Sequence, residues 1–158
     1  VISYEFAHAD GKMIETEHGP TIEFGWCCHD EINLIEPGKN YGWPLKIGGT
    51  ETDSLTPAIY QTGFETIAPS GCTFIKGAQW GAWQNSFILG ALKGEKLIRF
   101  DISLDGVFEA RHDTLTNTFG RLRNVIQGPD GSIYFSSSNV GSPTIETGDD
   151  KIYCLYFE

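Results

Sequence analysis

Two arginines stand one residue apart at Arg121-Leu122-Arg123, and a lysine, Lys93, follows Gly90-Ala91-Leu92. In a strand, residues two apart point to the same face, so both guanidiniums are placed to aim into one channel. A guanidinium fork binds a carboxylate with two parallel hydrogen bonds, and a lysine adds a point charge. The three cations therefore suit a ligand that carries carboxylates. The alternative is an exposed strand face on which the arginines pair with the chain's own acids. Familiar catalytic strings are missing: no GxSxG elbow, Walker loop or HExxH helix occurs, which removes support for hydrolase, nucleotide-binding and zincin chemistry. Cys27, Cys28, Cys72 and Cys154 form no CxxC pair, which argues against a zinc knuckle and leaves buried thiols as the plain reading.

The elements that must hold these residues are strands. Apolar segments are short, alternate at period two and end at Gly, Pro, Asp or Asn, with almost no helical periodicity. Strands are predicted at residues 2–6, 13–17, 31–35, 73–75, 86–92, 96–102, 107–112, 124–127, 132–136 and 151–156. Turns fall at Ala9-Asp10-Gly11, Pro37-Gly38-Lys39-Asn40, Leu104-Asp105-Gly106 and Gly128-Pro129-Asp130-Gly131, each with a glycine able to take positive φ. The chain has 158 residues, of which 40% are hydrophobic and 13% aromatic, enough for a packed all-β core. No apolar run approaches the roughly 20 residues that span a bilayer. A formal charge of −10 opposes binding to nucleic acid and is compatible with a cation site and a neutral substrate.

A weak repeat narrows the architecture. Asn85-Ser86-Phe87-Ile88-Leu89-Gly90 resembles Gly131-Ser132-Ile133-Tyr134-Phe135-Ser136, 46 residues later. Lys96-Leu97-Ile98-Arg99-Phe100 and Lys151-Ile152-Tyr153-Cys154-Leu155 follow them, and a fainter copy runs from Gly11-Lys12-Met13-Ile14 to Asp30-Glu31-Ile32-Asn33-Leu34. Repeats of about 40–50 residues, each a small antiparallel sheet, are the signature of propeller blades. Dividing near Gly63 and Phe119 gives three units, 1–63, 64–118 and 119–158, the last lacking its outermost strand. Three blades do not close a ring, so the expectation is a half-propeller completed by further chain or by a second copy.

The sharpest motif is Glu17-His18-Gly19-Pro20, followed by His29-Asp30-Glu31-Ile32-Asn33-Leu34-Ile35 and Gly38-Lys39-Asn40-Tyr41-Gly42-Trp43-Pro44. Thr66-Ile67-Ala68-Pro69-Ser70-Gly71, Gly90-Ala91-Leu92-Lys93, Gly120-Arg121-Leu122-Arg123-Asn124-Val125 and Gln127-Gly128-Pro129-Asp130-Gly131 come next in order. This series resembles the soluble glucose and aldose-sugar dehydrogenases that use pyrroloquinoline quinone (PQQ), over nearly the whole chain. The resemblance implies a six-bladed β-propeller, of which this chain supplies the C-terminal three blades, in a periplasmic or secreted enzyme. It implies oxidation of an aldose C1 hydroxyl to the lactone, with PQQ and calcium as cofactors.

Carried over residue by residue, the resemblance puts the backbone carbonyls of Gly19 and Pro20 on the calcium beside the quinone. Hard cations prefer oxygen ligands, which a turn without bulky side chains exposes. His18, Thr66, Lys93, Arg121 and Arg123 match positions that hold PQQ; Glu31 and Tyr41 match the region of a second, structural calcium. The bland readings stand beside these: His18 as a hydrogen-bonded loop histidine, Thr66 as a turn residue, Glu31 as a solvated acid. Trp43, Trp80 and Trp83 read as packing residues rather than sugar platforms. The sequence departs from the family in a longer, aromatic segment at residues 21–29, expected at the substrate rim or an interface. None of His8, His18, His29 and His112 matches the family's catalytic base, so no catalytic residue is assigned and the chain alone is expected to be inactive. A non-catalytic sugar- or protein-binding propeller, or a fragment with idle motifs, remains the alternative.

Overall fold

The computed structural model describes residues 4–9, 11–19, 28–42, 54–139 and 148–157, the first of these by its backbone alone. They form three antiparallel sheets whose strands pair in chain order. The first sheet contains β1 (Tyr4–Ala9), β2 (Lys12–Glu17), β3 (Glu31–Ile35) and the two-residue β4 (Tyr60–Gln61). The second contains β5 (Pro69–Phe74), β6 (Phe87–Ala91), β7 (Lys96–Ile102) and β8 (Phe108–Thr114). The third contains β9 (Leu122–Gln127), β10 (Ile133–Ser137) and β11 (Ile152–Leu155). No helix among the described residues is long and apolar enough to cross a membrane.

The all-β expectation holds, and β3 and β7 have the predicted bounds. Two starts fall earlier than predicted by more than one residue. β5 begins at Pro69 rather than residue 73, because Pro-Ser-Gly reads as a turn in sequence. Proline is tolerated as the first residue of a strand, and an irregularity in the pairing lies between Pro69 and Cys72. β9 begins at Leu122 rather than residue 124. β4 and a 3-10 segment at Ala78–Trp83 carry no periodic signal and were not anticipated. The turn glycines behave as read, with φ of 85° at Gly106 and 83° at Gly131. The repeated segments occupy equivalent places: β2, β6 and β10 are second strands, and β3, β7 and β11 are third strands.

The second sheet is covered on both faces, and alternation along its strands explains how. Phe87, Leu89, Ala91, Ile98 and Phe100 pack with Ile14 and Ile32 of the first sheet. Ile88 and Leu97, one residue out of step, pack with Leu122, Val125, Ile133 and Phe135 of the third. β6 is therefore buried at every position. Each large side chain so buried contributes on the order of 1.5–3 kcal/mol. The first strands β1, β5 and β9 lie beside one another. At the β5–β9 contact a Cβ on Gly71 would come within 2.6 Å of the Asn124 Cα, so only glycine permits this approach. The third sheet turns a different face outward: Ile126 is 51% exposed, Ile152 79% and Tyr156 60%. Ile126, Tyr134 and Cys154 form one cross-strand row on that face.

Candidate functional site

The predicted cofactor residues gather at one end of the sheets: the end of β2, the starts of β3, β5 and β9, and the β6–β7 turn. Asp30, directly before β3, draws the first two segments together. Its carboxylate is 1% exposed. Oδ1 contacts His18 Nδ1 at 2.6 Å and accepts from Gly19 N at 2.8 Å; Oδ2 accepts from Ile67 N at 2.7 Å and Ala68 N at 2.9 Å. The Asp30 backbone N–H donates to Thr62 Oγ1, and its carbonyl accepts from Thr62 N. The converging backbone is strained: Cys28, His29 and Ala68 have φ of 77°, 53° and 51°, which non-glycine residues rarely adopt. Such conformations persist where surrounding contacts over-determine them. A Cβ on Gly19 would fall 1.5 Å from the Cys28 carbonyl oxygen, so glycine is required there.

The 66–68 segment in turn holds Lys93. Lys93 N donates to Ile67 O and Leu92 N to Ala68 O, both at 3.0 Å, leaving the Lys93 side chain exposed beside half-buried Thr66. Ser70 extends the connection to β9. Its hydroxyl has carbonyl oxygens of Gly90, Leu122 and Arg123 within reach; with one proton to give, the 2.5 Å contact to Arg123 is the best placed. Thus His18, Thr66, Lys93 and Arg123 are linked through Asp30 and Ser70 into one rim, and Arg121 borders it.

The strand that carries the arginines is not regular. Leu122 pairs with Ser137 while Asn124 pairs with Ser136, so Arg123 is the extra residue of a bulge. Alternation does not carry across it, and Leu122 and Val125, three apart, are both buried. The alternative, in which these arginines pair with the chain's own acids, is not met among the described residues. Arg121 Nε donates to the Ser138 carbonyl at 3.3 Å, and no ion pair forms at Lys93, Arg121 or Arg123. The acids are engaged by other cations. Arg111 bridges Glu65, Asp113 and the Tyr60 hydroxyl, Lys96 bridges Glu65 and Asp113, and Arg99 takes Asp101. The Arg111 network ties the linker that leads into Thr66 onto β7 and β8. Both partners depress the Glu65 and Asp113 carboxyls below their usual range, against an opposing effect of burial.

Glu31 lies in a second polar group, on the face of the first sheet that points away from the second. Glu17 sits directly opposite Glu31, and Glu15 opposite Asn33. Glu15, Glu31 and Asn33 are buried, and neither side-chain polar atom of Asn33 has a hydrogen-bond partner among the described residues. Burial, then the charges of Glu31 and Glu15, push Glu17 up to about 7; burial and Glu31 raise Glu15. The Tyr41 hydroxyl donates to Leu34 O and accepts from Glu36 N, roughly 10 Å along β3 from Glu31. No three His, Cys, Asp or Glu residues converge closely enough to hold a metal among the described residues.

Pro20 and Trp43 lie outside the described residues, as does most of the 21–29 segment and the His8 side chain. Of the cysteines read as buried thiols, Cys28 is buried, but Cys72 is half-buried and Cys154 exposed; Trp80, 3% exposed, packs between the second and third sheets, as read. A cleft of about 240 Å³ opens at the opposite end of the sheets, between Lys12, Ile14, Phe74, Lys76 and Leu104. It touches none of the rim residues, and the chemistry of the rim rather than this cleft marks the candidate site. Sequence reading missed the roles of Asp30 and Ser70. The available signal was a short acid directly before a strand, able to accept backbone N–H groups.

The sequence profile described as Glucose / Sorbosone dehydrogenase matches residues 2–145. The chain belongs to this family. The aldose sugar dehydrogenase YliI of Escherichia coli is 33% identical over 132 residues, covering 75% of this chain and 33% of that protein. An uncharacterised Synechocystis protein is 34% identical over 137 residues, 78% of this chain and 31% of its own length. Among solved structures, an oxidoreductase of Thermus thermophilus described as a glucose dehydrogenase superposes with a TM-score of 0.82 at 29% identity, covering 97% of this chain and 47% of the other. The PQQ-bound aldose sugar dehydrogenase of Streptomyces coelicolor gives 0.77 at 27% identity, with 96% and 41% covered. The chain thus spans about a third of its sequence relatives and under half of these structures.

Proposed function

We propose that this glucose/sorbosone dehydrogenase-family chain is one half of a six-bladed β-propeller that oxidises the C1 hydroxyl of an aldose to the lactone with PQQ and calcium. The blades are units 1–63, 64–118 and 119–158, and the exposed apolar face of the third sheet meets a further blade, from an N-terminal half or a second copy. The PQQ-bound relative supports the cofactor. The observation that carries the reading is the rim: Lys93, Arg121 and Arg123 have no acid partner among the described residues of a chain with a net charge of −10. Three such cations around His18 and Thr66 fit a ligand with several carboxylates.

When bound, PQQ with calcium supplies the hydride acceptor of the reaction. The chain's own residues bind and orient. Lys93, Arg121 and Arg123 neutralise the carboxylates, and Thr66 donates a hydroxyl contact. The carbonyls of Gly19 and Pro20 would be the calcium's ligands; Asp30 takes the Gly19 N–H and so holds the start of that turn. Glu31 is the candidate toward a second calcium; Glu15 and Glu17 do not complete a metal site with it among the described residues, so its further oxygen ligands would come from elsewhere. Tyr41, the other residue of that reading, lies roughly 10 Å along β3 from Glu31, its hydroxyl donating to Leu34 O and accepting from Glu36 N. The base that takes the sugar proton is expected outside this chain, in a periplasmic or secreted assembly.

The test is aldose oxidation with an artificial electron acceptor. The chain with PQQ and calcium should give no turnover, and co-folding with an N-terminal half from a relative should restore it in a PQQ-dependent way. Turnover by the chain alone would show that it carries its own base. No turnover by any completed ring would overturn the reading.

A further inference from the structure

Asp30 does more than join loops, because its contacts fix which nitrogen of His18 carries the proton. Three of the four groups on its carboxylate are backbone N–H groups, of Gly19, Ile67 and Ala68, which can only donate. The fourth, His18 Nδ1 at 2.6 Å, completes the set as Nδ1–H. Gly19 N shares Oδ1 with the ring, and Gly19 itself cannot move aside, since it touches the Cys28 carbonyl. In a neutral imidazole with Nδ1–H, Nε2 holds a lone pair. Nε2 has no partner among the described residues, and the side chain is 30% exposed.

We propose that Asp30 is a positioning residue that holds His18 with Nδ1–H inward and Nε2 outward as a hydrogen-bond acceptor, so that His18 receives a hydroxyl of the sugar rather than an oxygen of the cofactor. Carboxylate and quinone oxygens offer only lone pairs and have nothing to donate to Nε2. A sugar hydroxyl donates. The three rim cations already suit the cofactor's carboxylates, which leaves the acceptor nitrogen for a ligand of the opposite hydrogen-bonding sense. The sugar as partner rests on the reading under Proposed function; the Asp30–His18 arrangement does not.

Two-bond proton–nitrogen NMR on the full chain labelled at histidine tests the arrangement without cofactor. The His18 signals should show a protonated Nδ1 and a bare Nε2, and Asp30→Ala should shift the ring toward the Nε2–H form. A bare Nδ1, or a ring protonated at both nitrogens, in the unaltered chain would overturn the proposal. PQQ titration tests the partner. His18→Ala should hold PQQ affinity within about twofold, while Arg121→Ala should weaken it about tenfold, the loss of one charge-assisted contact. An equal tenfold loss for His18→Ala would return His18 to the cofactor and overturn the sugar assignment. A chain that binds no PQQ would overturn the sugar-dehydrogenase reading and the sugar as partner, with the NMR result still deciding the arrangement.

Discussion

Replacing Glu17 with glutamine should stabilise the protein at alkaline pH and leave it unchanged in acid. Glu17 and Glu31 are cross-strand neighbours, and like charges directly opposite destabilise a sheet. Burial first, then Glu31 and Glu15, push Glu17 from 4.5 up to about 7. The folded state thus holds this proton more tightly than the unfolded chain. Below pH 4.5 the group is protonated in both states and costs nothing. The cost grows between pH 4.5 and 7 and is complete above 7. The full displacement corresponds to roughly 3 kcal/mol, which solvent screening of the half-buried side chain reduces to about 1–2 kcal/mol. Urea unfolding followed by tryptophan fluorescence at pH 4.5, 6 and 8 should show the gain of Glu17→Gln near zero at pH 4.5, partly developed at pH 6 and complete at pH 8. Equal effects at pH 4.5 and 8, or a loss at pH 8, would refute the electrostatic account of this cluster.

Other perturbations follow from the geometry. Gly19→Ala should cost at least about 1–3 kcal/mol, because its Cβ meets backbone, and thermal denaturation measures this; an unchanged melting temperature would show that the loop relaxes. Arg111→Ala should cost about 1–3 kcal/mol in urea unfolding by leaving Glu65, Asp113 and Tyr60 without their shared donor, and lysine should restore little because it lacks the fork. Light scattering of the chain at micromolar concentration should show association, since the third sheet exposes Ile126, Ile152 and Tyr156 together; Ile152→Ser should reduce it, and a stable monomer would contradict the covered-face account.

The strands were legible in the sequence because their signal is local. Period-two runs such as 96–102 and turns with Gly106 or Gly131 need no knowledge of the rest of the chain. The repeat added more, since its copies became the second and third strands of successive sheets. What escaped depends on partners distant in sequence. β4 has two residues and exists through its pairing with β3. The start of β5 was hidden by turn-type residues that are extended because β6 and β9 lie alongside. The bulge at Arg123 was not legible either, since a bulge cannot be read from one strand. Asp30 was visible only as one acid among 21 Asp and Glu residues, and its role arises from a loop 37 residues away that brings Ile67 N to its carboxylate.

The central claim is that the rim formed by Lys93, Arg121 and Arg123 holds PQQ. Calorimetric titration of PQQ in the presence of calcium, into the unaltered chain and into the chain with all three replaced by alanine, tests it directly. The account predicts saturable binding by the unaltered chain and a loss of at least about a hundredfold in the triple variant, with melting temperature preserved because these side chains make no ion pair among the described residues. Equal affinity in both proteins, or no binding by either, would contradict it.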